Sequence, residues 1–477
     1  MKQHHRFYSS LIIVVSILGT GAGTTMASDG AWEAVPAAQW IIETVDATRT
    51  VGYEVSVATD TVTGDHYISY YEGIDGDLWL ARTGAQSGNC GPGNRWECQA
   101  IDTAGVVGKG NSIVVGGIGT IAAVWISYYD ATTGSLKVAK LRIDRTTGAV
   151  VTTDHYIVDL GDPNGSGVVK GTRTSVTLNS AGNPQIAYQV RHGGATRSVK
   201  HAYKIAPGFG NCGYGAGLDG WQCEGVHIED GIGDYVDIDV GPGGVTNIAF
   251  STTAHAYAQP VIATDVGSGG SCSSGTFTCA YIFNAADTGE YLSFEIAAGG
   301  VKHLAYRNAT TESLEWARYV GPGNGNCGPG GDSYQCEWID DIGPSGEPAG
   351  IDMKIDASGN PVIAYQDNEA GFEDLKLARP MSATSWSPVP NCGPNPGIMY
   401  EWLCETLEEG NLSHSQAYGG LAVALDALGD ATVAYRQLYD PLISPEVGRL
   451  KVATEAGIIF RDGFETGDLS VWSSSAE

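Results

Sequence analysis

The chain has 477 residues, with 54 Asp plus Glu against 26 Lys plus Arg, a formal net charge of −28. That balance excludes a nucleic-acid partner, which needs a basic footprint, and a hydrophobic share of 42% excludes a disordered acidic tail. Gly supplies 67 residues, about twice the usual share of about 7%, so turns are frequent.

Residues 1–27 read as a secretory signal: a basic start at Lys2 and Arg6, an apolar stretch from Leu11 to Leu18, and small residues at Thr25-Met26-Ala27 before Ser28. No apolar run approaches the ~18 residues that cross a bilayer, so no transmembrane segment is expected in the mature chain. The expected address is the outside, the cell surface or the periplasm of a bacterium. Residues 28–39 form a lead-in.

From residue 40 to residue 457 one pattern recurs. Its centre is an aliphatic residue, a small residue and an aromatic. The seven copies are Ile68-Ser69-Tyr70, Ile126-Ser127-Tyr128, Ile186-Ala187-Tyr188, Ile248-Ala249-Phe250, Leu304-Ala305-Tyr306, Ile363-Ala364-Tyr365 and Val433-Ala434-Tyr435, roughly 61 residues apart. Upstream of each lies an alternating segment and a Gly-rich turn. Downstream lies Leu-Lys-x-Ala or a variant, whose Ala recurs at Ala81, Ala139, Ala202, Ala263, Ala317, Ala378 and Ala453. A fourth segment follows, often aromatic-x-Cys, as in Trp96-Glu97-Cys98. Period-2 alternation between Gly-rich turns means antiparallel strands. Four short strands repeated seven times predict an all-β, seven-bladed β-propeller. A fourth-strand segment, Trp40–Val45, precedes the first triplet, while the seventh repeat ends after its third strand near Ala453. The N-terminal strand is therefore expected to complete the last blade, which leaves no open edge. One ring of this kind makes a monomer.

The ten cysteines fall in five close pairs: Cys90/Cys98, Cys212/Cys223, Cys272/Cys279, Cys327/Cys336 and Cys392/Cys404. Each pair brackets the turn between third and fourth strands, and export favours disulfides. There is no CxxC knuckle for zinc. No cofactor is expected. Acidic loops at Asp75-Gly76-Asp77 and Asp367-Asn368-Glu369 offer oxygen ligands for calcium as the minority alternative, without EF-hand spacing.

The first strand of each blade lines a propeller's channel. Its second position reads Ser56, Ser112, Ser175, Asp237, Ser293, Asp352 and Ala422, six small polar residues among apolar neighbours. Two readings stand. These groups line a ligand site, or they satisfy neighbouring backbone groups and channel water. Tyr53, Tyr235, Tyr291 and Tyr418 precede their first strands and could add aromatic faces for a glycan or an extracellular protein at one rim. An enzyme would need two converging carboxylates, for which Asp237 and Asp352 are the candidates. No nucleophile elbow and no His-Glu-x-x-His occurs, so no catalytic residue is assigned.

The stretches Tyr67–Glu72, Trp125–Asp130 and Asp356–Asp367 resemble the repeats of secreted bacterial propellers of the broad sialidase-like (BNR-type) group. The resemblance implies a binding propeller. The Ser-x-Asp-x-Gly-x-Thr-Trp boxes of sialidases are missing, so their chemistry does not transfer. Residues 458–477 form a tail in which Phe460 to Trp472 resembles the "DGFESGD…W" endings of exported bacterial proteins. The expectation is an exported, non-catalytic binding propeller, with a polysaccharide hydrolase or lyase and a structural surface protein as alternatives.

Overall fold

A computed structural model of the chain describes residues 39–456, apart from residues 49, 162–167, 194–195, 214–219, 253–257, 283–287, 329–332, 344–349, 369–373, 382–391, 393–400, 410–419 and 440–446. The signal segment, residues 28–38 of the lead-in, the tail and Tyr418 lie outside the described residues. The described residues form seven four-stranded antiparallel sheets. Their inner strands are Tyr53–Thr59, Val107–Gly116, Val168–Leu178, Ile232–Val240, Thr288–Ile296, Ile351–Ile355 and Leu421–Leu425. Each packs beside the next, and the seventh packs beside the first, so the ring is closed. Gln39–Asp46 pairs antiparallel with Val447–Ala456 and is the outer strand of the seventh blade. One ladder thus ties the two ends of the propeller together, and an open sheet edge is removed.

The recurring triplet pairs alike in all seven blades. Its first residue stands opposite the recurring Ala: Ile68 opposite Ala81, Ile363 opposite Ala378, Val433 opposite Ala453. All seven of those alanines are fully buried. Its middle residue faces the channel-lining position on one side and a large residue on the other. Ala305 lies between Ser293 and Trp316, and Ala364 between Asp352 and Leu377. Close packing leaves room there only for Ser or Ala.

In five of the six tyrosine copies the aromatic hydroxyl reaches across to the preceding blade; the sixth, Tyr306, donates to Cys336 Sγ of its own blade at 3.6 Å. Tyr70 donates to Asp46 at 3.0 Å, Tyr128 to Asp102 at 2.7 Å, Tyr188 to Asp159 at 2.6 Å and Tyr365 to Asp340 at 2.6 Å; Tyr435 donates to Glu408. The Lys of Leu-Lys-x-Ala meets the same carboxylates: Lys137 with Asp102 at 2.6 Å, Lys200 with Asp159 at 2.8 Å, and Lys451 with Glu408. Burial pushes the Asp102 carboxyl up, but hydrogen bonds from Lys137 and Tyr128 outweigh it and hold the group below its ordinary range. Phe250 of the fourth blade lacks the hydroxyl and instead stacks on the His227 ring of the third blade, with centroids 6.1 Å apart.

All five predicted disulfides are formed: Cys90–Cys98, Cys212–Cys223, Cys272–Cys279, Cys327–Cys336 and Cys392–Cys404. The second Cys of each stands opposite the recurring Ala, as Cys98 opposite Ala81 and Cys404 opposite Ala378. The fifth pair clips its hairpin as expected and does more besides. Cys404 is 5% exposed and belongs to a buried apolar cluster with Met353, Ile363 and Trp402. The physical reason is the strand's alternation, which turns Cys404 to the same side as Trp402, so its apolar sulfur also fills core.

In three of the disulfides the Asn before the first Cys clamps the second. The Oδ1 atoms of Asn89, Asn211 and Asn326 accept from the amides of Cys98, Cys223 and Cys336, each at 2.7 Å, and their Nδ2 atoms donate to the same residues' carbonyls. Asn391, which holds this place before Cys392, lies outside the described residues. The following Gly91, Gly213 and Gly328 have φ of 73°, 101° and 99°, which accounts for Gly in Asn-Cys-Gly.

Candidate functional site: the central channel

The channel is lined by alternate residues of the seven inner strands. The sequence-predicted positions form a first ring, and their polar groups reach across to the next blade. Ser56 Oγ accepts from Ile113 N at 3.2 Å, Ser112 Oγ from Val176 N at 3.1 Å, and Ser293 Oγ from Met353 N at 3.1 Å. Asp237 Oδ2 accepts from Phe294 N at 2.8 Å and Asp352 Oδ2 from Val423 N at 2.7 Å. Ser175 instead donates to Asp237 Oδ1 at 2.6 Å, an oxygen that also accepts from Ile238 N. Ala422 has no group to offer, and among the described residues no side chain accepts from Val57 N.

Asp237 and Asp352, two blades apart, are brought together by the blade between them. Ser293 Oγ donates to Asp352 Oδ1 at 3.0 Å and lies 3.4 Å from Asp237 Oδ2. Each of the four carboxylate oxygens already accepts a hydrogen bond. Ser293 is only 2% exposed, so this serine bridges rather than faces a ligand.

Two residues further along the same strands stands a second ring: Ala58, Val114, Thr177, Asp239, Glu295, Lys354 and Ala424. Its charged members sit on three consecutive blades. Lys354 pairs with Glu295. Asp239 Oδ2 accepts from Ile296 N at 2.8 Å and Oδ1 from Val240 N at 2.7 Å. Burial pushes the Glu295 carboxyl up to about 8 and raises those of Asp239 and Asp352 above the ordinary range. Burial alone would depress the Lys354 ammonium, but Glu295, Asp352 and Asp237 hold it above its ordinary value. The sequence reading missed this ring. Adding two to each first-ring number would have found it, since strand faces repeat every second residue.

The two rings enclose a cavity of about 300 Å³. Its walls run from the first ring to the last residues of the strands, such as Thr59 and Leu425, so it fills the downstream half of the channel. Asp237, Asp239, Glu295, Asp352 and Lys354 make one side, and Val57, Ile113, Val114 and Leu425 belong to the rest. Among the described residues no aromatic side chain lines it. Tyr235 and Tyr291 lie at the upstream end, with ring centroids 4.7 Å apart, and pack half-buried against the core between blades. Burial raises both of their hydroxyl pKa values. The structure thus separates the tyrosines from the polar ring they were expected to join. The side chain of Tyr53 is not among those described.

Among the described residues, one group has metal-ligand spacing: His227 with Cys272 and Cys279, whose sulfurs are joined in a disulfide. In the first acidic loop, Glu72 accepts from the amides of Ile74 and Asp75 at 2.9 and 2.7 Å. Glu369 of the second lies outside the described residues.

No family model matches the chain, and no curated protein does. Solved structures with a similar strand arrangement include a Hadza microbial sialidase, at 12% identity, with a TM-score of 0.40 and coverage of 66% of this chain and 63% of that one. They also include a polysaccharide lyase, at 9% identity, with a TM-score of 0.44 and coverage of 84% and 90%. A third is AofleA from Arthrobotrys oligospora, at 12% identity, with a TM-score of 0.39 and coverage of 72% and 86%. The chain spans less than two thirds of the sialidase's length. At such scores these likenesses say nothing of what this chain binds.

Proposed function

We propose that the protein is an exported, non-catalytic binding propeller that takes its ligand in the downstream half of the central channel. The observation that carries this reading is the contrast between its rings. The first ring spends its polar atoms on neighbouring backbone and side chains, so it offers no free base or nucleophile. The second ring presents charged groups to a cavity of about 300 Å³, the lower end of the usual range for ligand sites. Five disulfides support an oxidising compartment.

The test is calorimetric titration of the mature chain with neutral and acidic glycans, amines and peptides. A Thr177→Trp variant fills the cavity from the second ring. Binding that is saturable in the wild type and lost in this variant is expected. Binding unchanged by Thr177→Trp, or none across the panel, would refute the channel site.

A hydrolase or lyase remains the second reading because Ser293 brings Asp237 and Asp352 together. Their occupied oxygens oppose it. Incubation with polysaccharides should release no new reducing or unsaturated ends. Release that disappears in Asp352→Asn would reinstate catalysis.

A further inference from the structure

The downstream mouth is two-sided, and its two sides match a single kind of ligand. The turns between inner and second strands are four to six residues long, and the residue four beyond each second-ring position lies in the turn and is taken as its tip. Around the ring the tips are Val62, Ile118, Ala181, Gly243, Gly299, Ser358 and Leu428. The large apolar tips belong to the seventh, first and second blades, which are neighbours. Leu428, Val62 and Ile118 are 74%, 66% and 93% exposed. Single exposed apolar residues are ordinary on a surface. Three at the same offset from the second ring, on three adjacent blades, form a lip. The charged wall of the cavity belongs to the fourth, fifth and sixth blades, across the channel from that lip.

We infer that this mouth docks a polypeptide segment of a partner protein, whose lysine or arginine side chain enters the channel while flanking apolar residues rest on the lip. The inference rests on the channel reading above and adds the partner's chemistry. Charge complementarity supplies the first argument. The wall offers four carboxyl groups against one ammonium, and that ammonium is already held by Glu295. A cation placed among these carboxyl groups favours their ionised form against burial and donates to it, so a cationic donor gains most. A neutral sugar brings donors too, but among the described residues the lining gives its face no aromatic ring. Reach supplies the second argument. A tip lies four residues beyond its second-ring residue, at most about 13 Å at roughly 3.3 Å per residue. A bare cation cannot touch both places. A basic side chain on an apolar-flanked peptide does. The acidic chain as a whole would speed the encounter of such a segment at low salt.

The experiment is an immobilised array of octapeptides that places each residue type at the centre, between leucines or between glycines. Lys or Arg between leucines should bind at least tenfold more tightly than Gln or Glu there, and glycine flanks should weaken it several-fold. Free hexylamine should bind far more weakly than the best peptide. In solution, Thr177→Lys, which sets an ammonium in the cavity, should abolish this binding, while Thr177→Gln keeps it within about twofold. Leu428→Ser should weaken it a few-fold. Indifference to the central residue, hexylamine binding as tight as the peptide's, or unchanged binding by Thr177→Lys would overturn the inference. If glycans bind and Thr177→Trp removes that binding while no basic peptide binds, the channel reading stands and this inference falls.

Discussion

The first and second rings of the channel stand on the same strands, two residues apart, yet one is closed and the other open. Ser56, Ser112, Asp237, Ser293 and Asp352 each accept from the backbone of the following blade. Asp239 makes the same kind of bond, but Glu295 and Lys354 pair with each other beside open space. A polar residue in a channel is therefore weak evidence for a ligand until its hydrogen bonds are accounted for. What singles out a site is polarity left over after the backbone has been satisfied.

This contrast can be broken by mutation. The largest effect is expected in the first ring. Asp237→Ala orphans the amide of Phe294 and the hydroxyl of Ser175, so chemical denaturation should show a loss of about 4 kcal/mol. A loss near zero would mean that water replaces the carboxylate and that the ring is not structural. Next comes His303, directly opposite Glu295 on the adjacent strand. Burial, helped by Arg318, lowers its pKa from 6.5 to about 4. A depressed folded pKa means the neutral ring is favoured in the fold. Its contribution is complete above pH 6.5 and is lost as pH falls toward 4, about 3 kcal/mol in all. His303→Phe should flatten the stability profile across that window. An unchanged slope would count against the buried neutral ring.

Two smaller effects sharpen the comparison. Ala422 leaves a gap in the first ring where the seventh blade meets the first. Ala422→Ser supplies an acceptor for Val57 N and should raise stability by about 1 kcal/mol, which a shift in the melting temperature would report. In the second ring Glu295→Gln should change stability by less than about 1 kcal/mol, because its partner Lys354 is 37% exposed. A large loss there would assign Glu295 to the scaffold and weaken the case for a site.

Much of this fold was legible along the chain because the same local pairings recur. The small residue of the triplet, the Ala of Leu-Lys-x-Ala and the first-ring position mark three neighbouring strands. Their register in the structure, as in Asp352 opposite Ala364 and Ala364 opposite Leu377, follows that spacing. The disulfides were legible for the same reason, since each closes one hairpin. That Cys404 also fills core was not, because burial between blades leaves no mark on cysteine spacing. The second ring was less visible, because only three of its seven members are charged. The carboxylates that receive the triplet tyrosines were not singled out. Asp102 and Asp159 sit at the ends of outer strands, and nothing in their local sequence distinguishes them from turn residues. Tyr235 and Tyr291 misled for the opposite reason: their position before an inner strand points to a rim, but tertiary packing turns them between blades.

The sequence by itself determined the blade count, the strand register, the disulfide pairing and the offset that closes the ring. These depend on hydrogen bonds and side-chain pairs between segments close along the chain, repeated until the pattern is unmistakable. Only the tertiary structure decided which polar residues of the channel are spent and where its cavity lies. Those outcomes depend on contacts between blades, such as Ser56 with Ile113 or Asp352 with Val423, 57 and 71 residues apart. No local pattern encodes such a contact, because its geometry exists only once the ring has closed.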